Sequence, residues 1–322
     1  MLVLNQKDIL NAVTRNEIVD SVEKALRMYE EKNFHMPDRM HVDYRGNTLL
    51  LMPCFTKKSM GTKLVSLYPE NEKKDLPVLF GIMVLNDGNT GKPLAVLDGS
   101  ALTALRTGAV GSVSIRHMTP KKVNTLGIVG AGVQGFHQTI TACTQRDFKS
   151  VYVYDKFSEK SDQLIEKLLK KLKNIEVKKA KSAEELLKEA EVVITATTSM
   201  EPVLPDEERL FLGKHIVGIG SYKPDMREFP KALFKNIKTL AVDTEYAHIE
   251  SGDLKVPLEK GWIQEDQILT LGKVIMEKSF INQEREGTTV FKSVGMALFD
   301  AVVSEFIYQK AREKDLGQEV HF

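Results

Sequence analysis

The feature that most constrains this chain is a glycine-rich turn between an apolar strand and a helix, Gly127-Ile128-Val129-Gly130-Ala131-Gly132-Val133-Gln134-Gly135. Such a turn is informative only in the right surroundings, and here they are present. From Thr119-Pro120 onward, strand-like and helix-like segments alternate. Val123–Val129, Ser150–Asp155, Ile175–Lys178, Glu191–Thr195, His215–Gly220 and Ile237–Val242 read as strands. Val133–Thr144 and Ser158–Lys173 read as helices, and Ser182 with Glu185 forms a capping box before another. This rhythm predicts an α/β domain with a parallel sheet and helices on both faces. In that setting Gly130 permits the tight turn, Gly132 lets backbone approach a pyrophosphate, and Gly135 lets the helix pack on the strand. Exposed N–H groups and the helix dipole favour a dianion there. Asp155 ends the next strand, close to the spacing of about 20 residues expected for the acid that binds a ribose. It points to NAD. Lys156 could neutralise a 2′-phosphate, which leaves NADP open. The competing reading is a turn used only for packing, with Asp155 a solvated strand end.

The first third has a different pattern. Thr14 to Lys32 places Ile18, Val22, Ala25, Leu26 and Tyr29 at helical spacing, with Thr14 as N-cap. Thr48–Met52, Thr62–Tyr68, Val78–Leu85 and Pro93–Leu97 read as strands separated by turns such as Asn86-Asp87-Gly88-Asn89. Ser100 opens a helix rich in Ala and Gly. A last pattern, Thr289 to Glu313, reads as one amphipathic helix that could return to this α+β region.

Charges nearly cancel, with 45 Lys+Arg against 44 Asp+Glu, so no global field recruits nucleic acid or an anionic membrane. No apolar run approaches the roughly 18 residues that span a bilayer, and MLVLNQKDIL does not read as a secretory signal. A cytoplasmic location is expected. Cys54 and Cys143 lie far apart, without CxxC spacing, and read as small buried apolar residues. The histidines, among them His117, His137 and His248, show no metal-ligand spacing, so a metal-free site is expected.

Arg106 is the only charge from Ala101 to Ile115. It must find an anion or reach solvent, because an unpaired buried charge is expensive. Taken alone it snorkels. Lys63 sits in Gly61–Tyr68 between Thr62 and Leu64. Taken alone it lies on a solvated face, but on an interior face burial and nearby cations would lower its pKa toward proton-transfer chemistry.

Eight ordered strings carry a resemblance: Leu51-Met52-Pro53, Thr62-Lys63-Leu64-Val65, Leu97-Asp98-Gly99, Thr103-Ala104-Leu105-Arg106-Thr107, the glycine turn, Gly220-Ser221-Tyr222-Lys223-Pro224-Asp225-Met226-Arg227-Glu228, Glu250-Ser251-Gly252-Asp253 and Thr289-Val290-Phe291-Lys292-Ser293-Val294-Gly295. In that order they resemble the ornithine cyclodeaminase/mu-crystallin family over nearly the whole chain. The resemblance implies a Rossmann-type domain, residues 120–288, inserted in an α+β substrate-binding and dimerisation domain, residues 1–119, completed by 289–322. It implies that Arg39, Lys63 and Arg106 grip the carboxylate of an amino or imino acid, with Met52 beside them and Lys63 as candidate proton donor. It assigns Gly130, Gly132, Val133, Gln134, Gly135 and Asp155 to the dinucleotide. Arg106, Thr197, Gly220, Ser221, Ser293 and Val294 would line its nicotinamide side.

Members of that family divide among ornithine cyclodeamination, alanine dehydrogenation and reduction of cyclic ketimines, and mu-crystallin suggests a nucleotide-dependent binder. Ornithine cyclodeaminases carry a glutamate and an aspartate where this chain has Leu50 and Ser221. The resemblance therefore favours a reductase of Δ1-pyrroline-2-carboxylate or Δ1-piperideine-2-carboxylate acting as a homodimer. The three cations are expected to converge without an acidic neighbour. Asp225 is the nearest carboxylate offered as a catalytic aid, and its other reading is the cap of a helix near Glu228–Phe234.

Overall fold

The computed structural model describes residues 1–277 and 287–321; of the expected domain ranges, 278–286 and Phe322 lie outside the described residues. The chain divides into two compact units, Met1–Arg106 with Met296–Phe322, and Thr107–Gly295. The sequence pattern puts these junctions at 119 and 289. In the structure they fall inside the helix Gly99–Met118 and after the strand Thr288–Lys292.

The first unit is built on an eight-stranded sheet. Its order is Gln318–Glu319, Leu2–Leu4, Pro93–Asp98, Leu79–Asp87, Ser59–Leu67, Asn47–Thr56 and Phe34–His35, with Met40–Tyr44 also paired to Asn47–Thr56. All pairs are antiparallel except Leu2–Leu4 with Pro93–Asp98. In Ser59–Leu67, buried residues alternate: Ser59, Gly61, Lys63 and Val65 share the interior face. The helix Ala297–Glu313 packs on that strand, on Asn47–Thr56 and on the helix Arg15–Glu30. Thr14 does cap Arg15–Glu30. Its side chain accepts from Glu17 N, and the Glu17 carboxylate accepts from Thr14 N in return. The helix expected at Ser100 begins at Gly99, where the Asp98 carboxylate accepts from Ser100 N and Ala101 N at 2.9 Å each.

The second unit carries an eight-stranded sheet, parallel throughout. Its order is Glu176–Lys179, Ser150–Tyr154, Thr125–Val129, Val192–Thr195, His215–Gly218, Thr288–Lys292, Ile237–Val242 and Ile268–Thr270. Strand order reverses between Thr125–Val129 and Val192–Thr195. That is the switch point at which open sheets of this Rossmann type bind ligands beyond their carboxyl ends.

One expectation is overturned here. The single helix from Thr289 is a strand, Thr288–Lys292, followed after a loop by the helix Ala297–Glu313. Val290 and Val294 fit a helical stripe, but Thr289, Val290 and Phe291 equally suit a fully buried parallel strand, and Gly295 with φ +77° interrupts any continuous helix. The box at Ser182 is half formed: Ser182 accepts from Glu185 N, while the Glu185 carboxylate takes Lys181 N instead. No helix among the described residues is long and apolar enough to cross a membrane.

Candidate active site

The interior face of the first unit's sheet carries the candidate substrate residues. Lys63 pairs in register with Met52 on one neighbouring strand and Met83 on the other, so the three side chains share the interior face of the sheet. It is 2% exposed, and Arg106, on the helix Gly99–Met118, is 6% exposed. Neither lies on a solvated face or snorkels, so the readings of these residues taken alone are corrected. Between them stands Asp300, fully buried on the helix Ala297–Glu313. Lys63 Nζ donates to Asp300 Oδ2 at 2.6 Å and Arg106 Nε donates to Asp300 Oδ1 at 3.0 Å.

The expectation of a cation cluster without an acid therefore fails. Two interior cations without a counter-charge would be unaffordable in low dielectric, and Asp300 supplies that counter-charge. Arg39, half-buried just before Met40–Tyr44, is close enough for its charge to act on Lys63. The structure thus brings Arg39, Lys63, Arg106 and Met52 together in one unit and adds an acid that sequence reasoning missed. Its signal was available: Asp300 is the one charge in the apolar run Ala297–Val303.

Burial pulls the Lys63 pKa down to about 8. Asp300 opposes that effect, while Arg106 and Arg39 add to it. Burial alone would raise the Asp300 carboxyl, but Arg106 and Lys63 outweigh it and hold the group below the usual carboxylate range. Arg106 Nη1 is buried with no hydrogen-bond partner among the described residues. A buried guanidinium N–H is rarely left this way, so it marks the place for an anion.

In the second unit, Gly130 adopts φ +104° and its N–H donates to Tyr154 O. A Cβ at Gly135 would run into Gly130 O. These two glycines are required by packing alone. Gly132 is not, since a Cβ there would meet nothing within 4 Å. The open space lies where a pyrophosphate needs close approach, and Gly132 is also the uncapped N-terminus of the helix Val133–Ala142. Gln134 Oε1 is buried without a hydrogen-bond partner among the described residues, and Val133 is exposed at the same turn. Asp155 ties the turn to the next strand, accepting from Ala131 N at 2.7 Å and Phe157 N at 2.9 Å. These residues fit a dinucleotide.

The segments beyond the carboxyl ends of the neighbouring strands are held by buried acids. Glu228 accepts from Thr197 N at 2.7 Å, Thr197 Oγ1 at 2.8 Å, Thr195 Oγ1 at 2.9 Å and Gly220 N at 2.7 Å. Burial raises its carboxyl, with Asp253 adding and Lys292 and Thr197 opposing. Asp243 accepts from Ser293 Oγ, Val294 N and Gly295 N. Thr197, Gly220, Ser293 and Val294 are thus fixed by two acids that sequence reasoning did not single out. Ser221 is fully buried, its hydroxyl bonded to Met226 O and Ser251 Oγ. Asp225 is exposed. The short helix Lys231–Asn236 starts after Pro230, and Asp206 accepts from Ala232 N there, so the capping expectation is corrected.

The sequence pattern of the ornithine cyclodeaminase/mu-crystallin family matches residues 1–315. A Delta(1)-pyrroline-2-carboxylate reductase of Bacillus cereus is 32% identical over 328 residues, covering 100% of both chains. Among solved structures, Delta(1)-pyrroline-2-carboxylate reductase of Thermococcus litoralis, in complex with NADH and L-proline, superposes with a TM-score of 0.92 at 33% identity, over 99% of this chain and 100% of that one. An archaeal alanine dehydrogenase dimer with bound NAD superposes with a TM-score of 0.91 at 27% identity, over 100% and 99%.

Proposed function

The chain belongs to the ornithine cyclodeaminase/mu-crystallin family, and from that premise we propose that it is an NADH-dependent reductase of cyclic imino acids. Its substrates are Δ1-pyrroline-2-carboxylate and Δ1-piperideine-2-carboxylate, its products proline and pipecolate. The observation that carries the reading is the buried Lys63–Asp300–Arg106 cluster with Arg106 Nη1 left unpartnered. Arg106 Nη1 and Arg39 take the substrate carboxylate, a planar anion suited to a guanidinium. NADH, when bound, supplies a hydride to the imine carbon. Lys63 Nζ passes a proton to the imine nitrogen and is left neutral until solvent restores its proton. Its pKa of about 8 suits both halves of that cycle near neutrality.

Cyclodeamination is disfavoured by charge. A diamino acid brings a second ammonium, and the acid facing this cluster, Asp300, already has one oxygen on Lys63 and the other on Arg106. Leu50 and Ser221 offer no carboxylate in its place. Steady-state oxidation of NADH with Δ1-pyrroline-2-carboxylate tests the proposal, and turnover is expected. Ammonia released from ornithine without net NADH change would replace it with cyclodeamination, and NADH formed from alanine with alanine dehydrogenation. No turnover across several ketimines would leave a nucleotide-dependent binder.

A homodimer is also proposed, through the outward face of the antiparallel sheet. Met40, Val42, Leu49, Phe80 and Ile82 are exposed there, and exposed apolar side chains clustered on one face suit an interaction surface. Ile82→Glu is expected to yield monomers in sedimentation.

A further inference from the structure

We infer that Asp300 is the positioning residue of the reaction: through its two oxygens it decides which donor atoms of Lys63 and Arg106 remain free for the substrate. The inference rests on the proposed role of Lys63 as proton donor.

An arginine can meet a carboxylate with its paired Nη groups or along its Nε edge. Asp300 takes Nε, at 3.0 Å, which leaves Nη1 buried and unpartnered. Meeting Asp300 along the Nε edge keeps the Nη1 donors for a second carboxylate. The other Asp300 oxygen, 2.6 Å from Lys63 Nζ, fixes the end of a flexible four-carbon stem on the sheet's interior face. Only one of the ammonium's three donors is used in this way.

The charge count agrees. One acid between two interior cations leaves a net positive charge, to which half-buried Arg39 adds, so a substrate carboxylate enters a site of opposite sign. When the proton moves from Lys63 to the imine nitrogen, the total does not change. Asp300 stays ionised throughout, since its carboxyl is held below the usual range.

The charged and titratable groups acting on Lys63 and Asp300 are Arg106 on one helix, Arg39 on the segment before Met40–Tyr44, and Cys54 on the neighbouring strand. The Cys54 thiol, pushed up to about 12 by burial and by Asp300, is neutral at working pH. The proton content of Lys63 is therefore set by burial, two repelling cations and one attracting acid.

Asp300→Asn keeps the shape and removes the charge. In the wild type the alkaline limb of kcat/KM is expected near pH 8, with activity lost as Lys63 deprotonates. Asp300→Asn is expected to move that limb down by about one pH unit or more, while NADH affinity, read by fluorescence, stays the same. A limb that stays in place while activity falls equally at all pH values would overturn the inference, as would unchanged kinetics. Lys63→Ala separates this from the underlying reading: if that variant retains turnover, Lys63 is not the donor, whatever Asp300 does. Should Asp300→Asn not fold, Asp300→Glu carries the test. Its retained charge must keep the limb near pH 8 while kcat falls, and a displaced limb or unchanged kcat overturns the inference.

Discussion

Each unit buries a lysine against an aspartate, and the two pairs sit in opposite surroundings. In the first unit Lys63 and Asp300 are joined by a second cation, Arg106, one of whose nitrogens has no hydrogen-bond partner among the described residues. In the second, Lys292 lies 3.1 Å from Asp253 Oδ2, over the ring of Phe229 and within the field of the buried Glu228. The excess negative charge of that second cluster is absorbed internally. Glu228 accepts from two backbone N–H groups and two hydroxyls, and Asp253 accepts from the N–H groups of Glu228 and Phe229. The excess positive charge of the first is not absorbed. Lys292 Nζ, like Arg106 Nη1, makes no hydrogen bond among the described residues, so what separates the clusters is the sign of the surplus charge. A surplus negative charge met by backbone and hydroxyl donors holds loops in place, whereas the surplus positive charge of Lys63 and Arg106 suits an anionic ligand.

Removing each lysine probes that contrast most strongly. Lys63→Ala is expected to lower kcat by ~10²–10⁴ with little change in denaturation midpoint, because Asp300 keeps Arg106. Steady-state kinetics and urea unfolding on the same preparation check both parts. Lys292→Met is expected to do the reverse. Loss of one partner from a buried pair costs about 3–5 kcal/mol of stability, visible as a lowered urea midpoint. If Lys292→Met abolished turnover in fully folded protein, the second cluster would be chemical rather than structural, and the contrast would collapse.

Asp155→Ala sharpens the contrast from the cofactor side. Loss of its charged hydrogen bonds to a ribose is expected to weaken NADH by about 1.5–3 kcal/mol and NADPH much less. Equal weakening of both in fluorescence titrations would remove the ribose role. The smallest effect belongs to His215, whose ring is buried between Ser114 Oγ and Thr289 Oγ1. Burial pulls its pKa from 6.5 to about 3, with Arg146 adding. Its neutral form is favoured by folding, so the stability it contributes is present above pH 6.5 and is lost as pH falls toward 3. The slope is at most about 1.4 kcal/mol per pH unit. Melting curves between pH 7 and 5 check it, and His215→Asn is expected to flatten the dependence.

Features readable from the sequence are those whose partners lie close by. Thr14 and Glu17 announce a helix start within one turn, and Gly130, Gly132 and Gly135 combine with a strand, a helix and Asp155 into a single local signature. Asp300 escaped because its partners are 237 and 194 positions away, and nothing in Ala297–Val303 says which cations a lone acid will meet. Glu228 escaped for the same reason, since the segments it gathers come together only when the parallel strands align. The strand Thr288–Lys292 is hard to tell from a helix in the sequence because a short run of mostly buried residues satisfies a helical stripe and a core strand alike. Asp225 shows the converse error: a short acid before a predicted helix suggests a cap, yet the chain uses Asp206 from a distant loop.

The most direct measurement is a crystal structure of the protein with NAD and L-proline. The product carboxylate is expected at hydrogen-bond distance, about 3 Å, from Arg106 Nη1, with the ring nitrogen toward Lys63 Nζ and Asp300 still bridging the two cations. A product whose ammonium sits on Asp300, or whose carboxylate binds away from Arg106, would contradict this account.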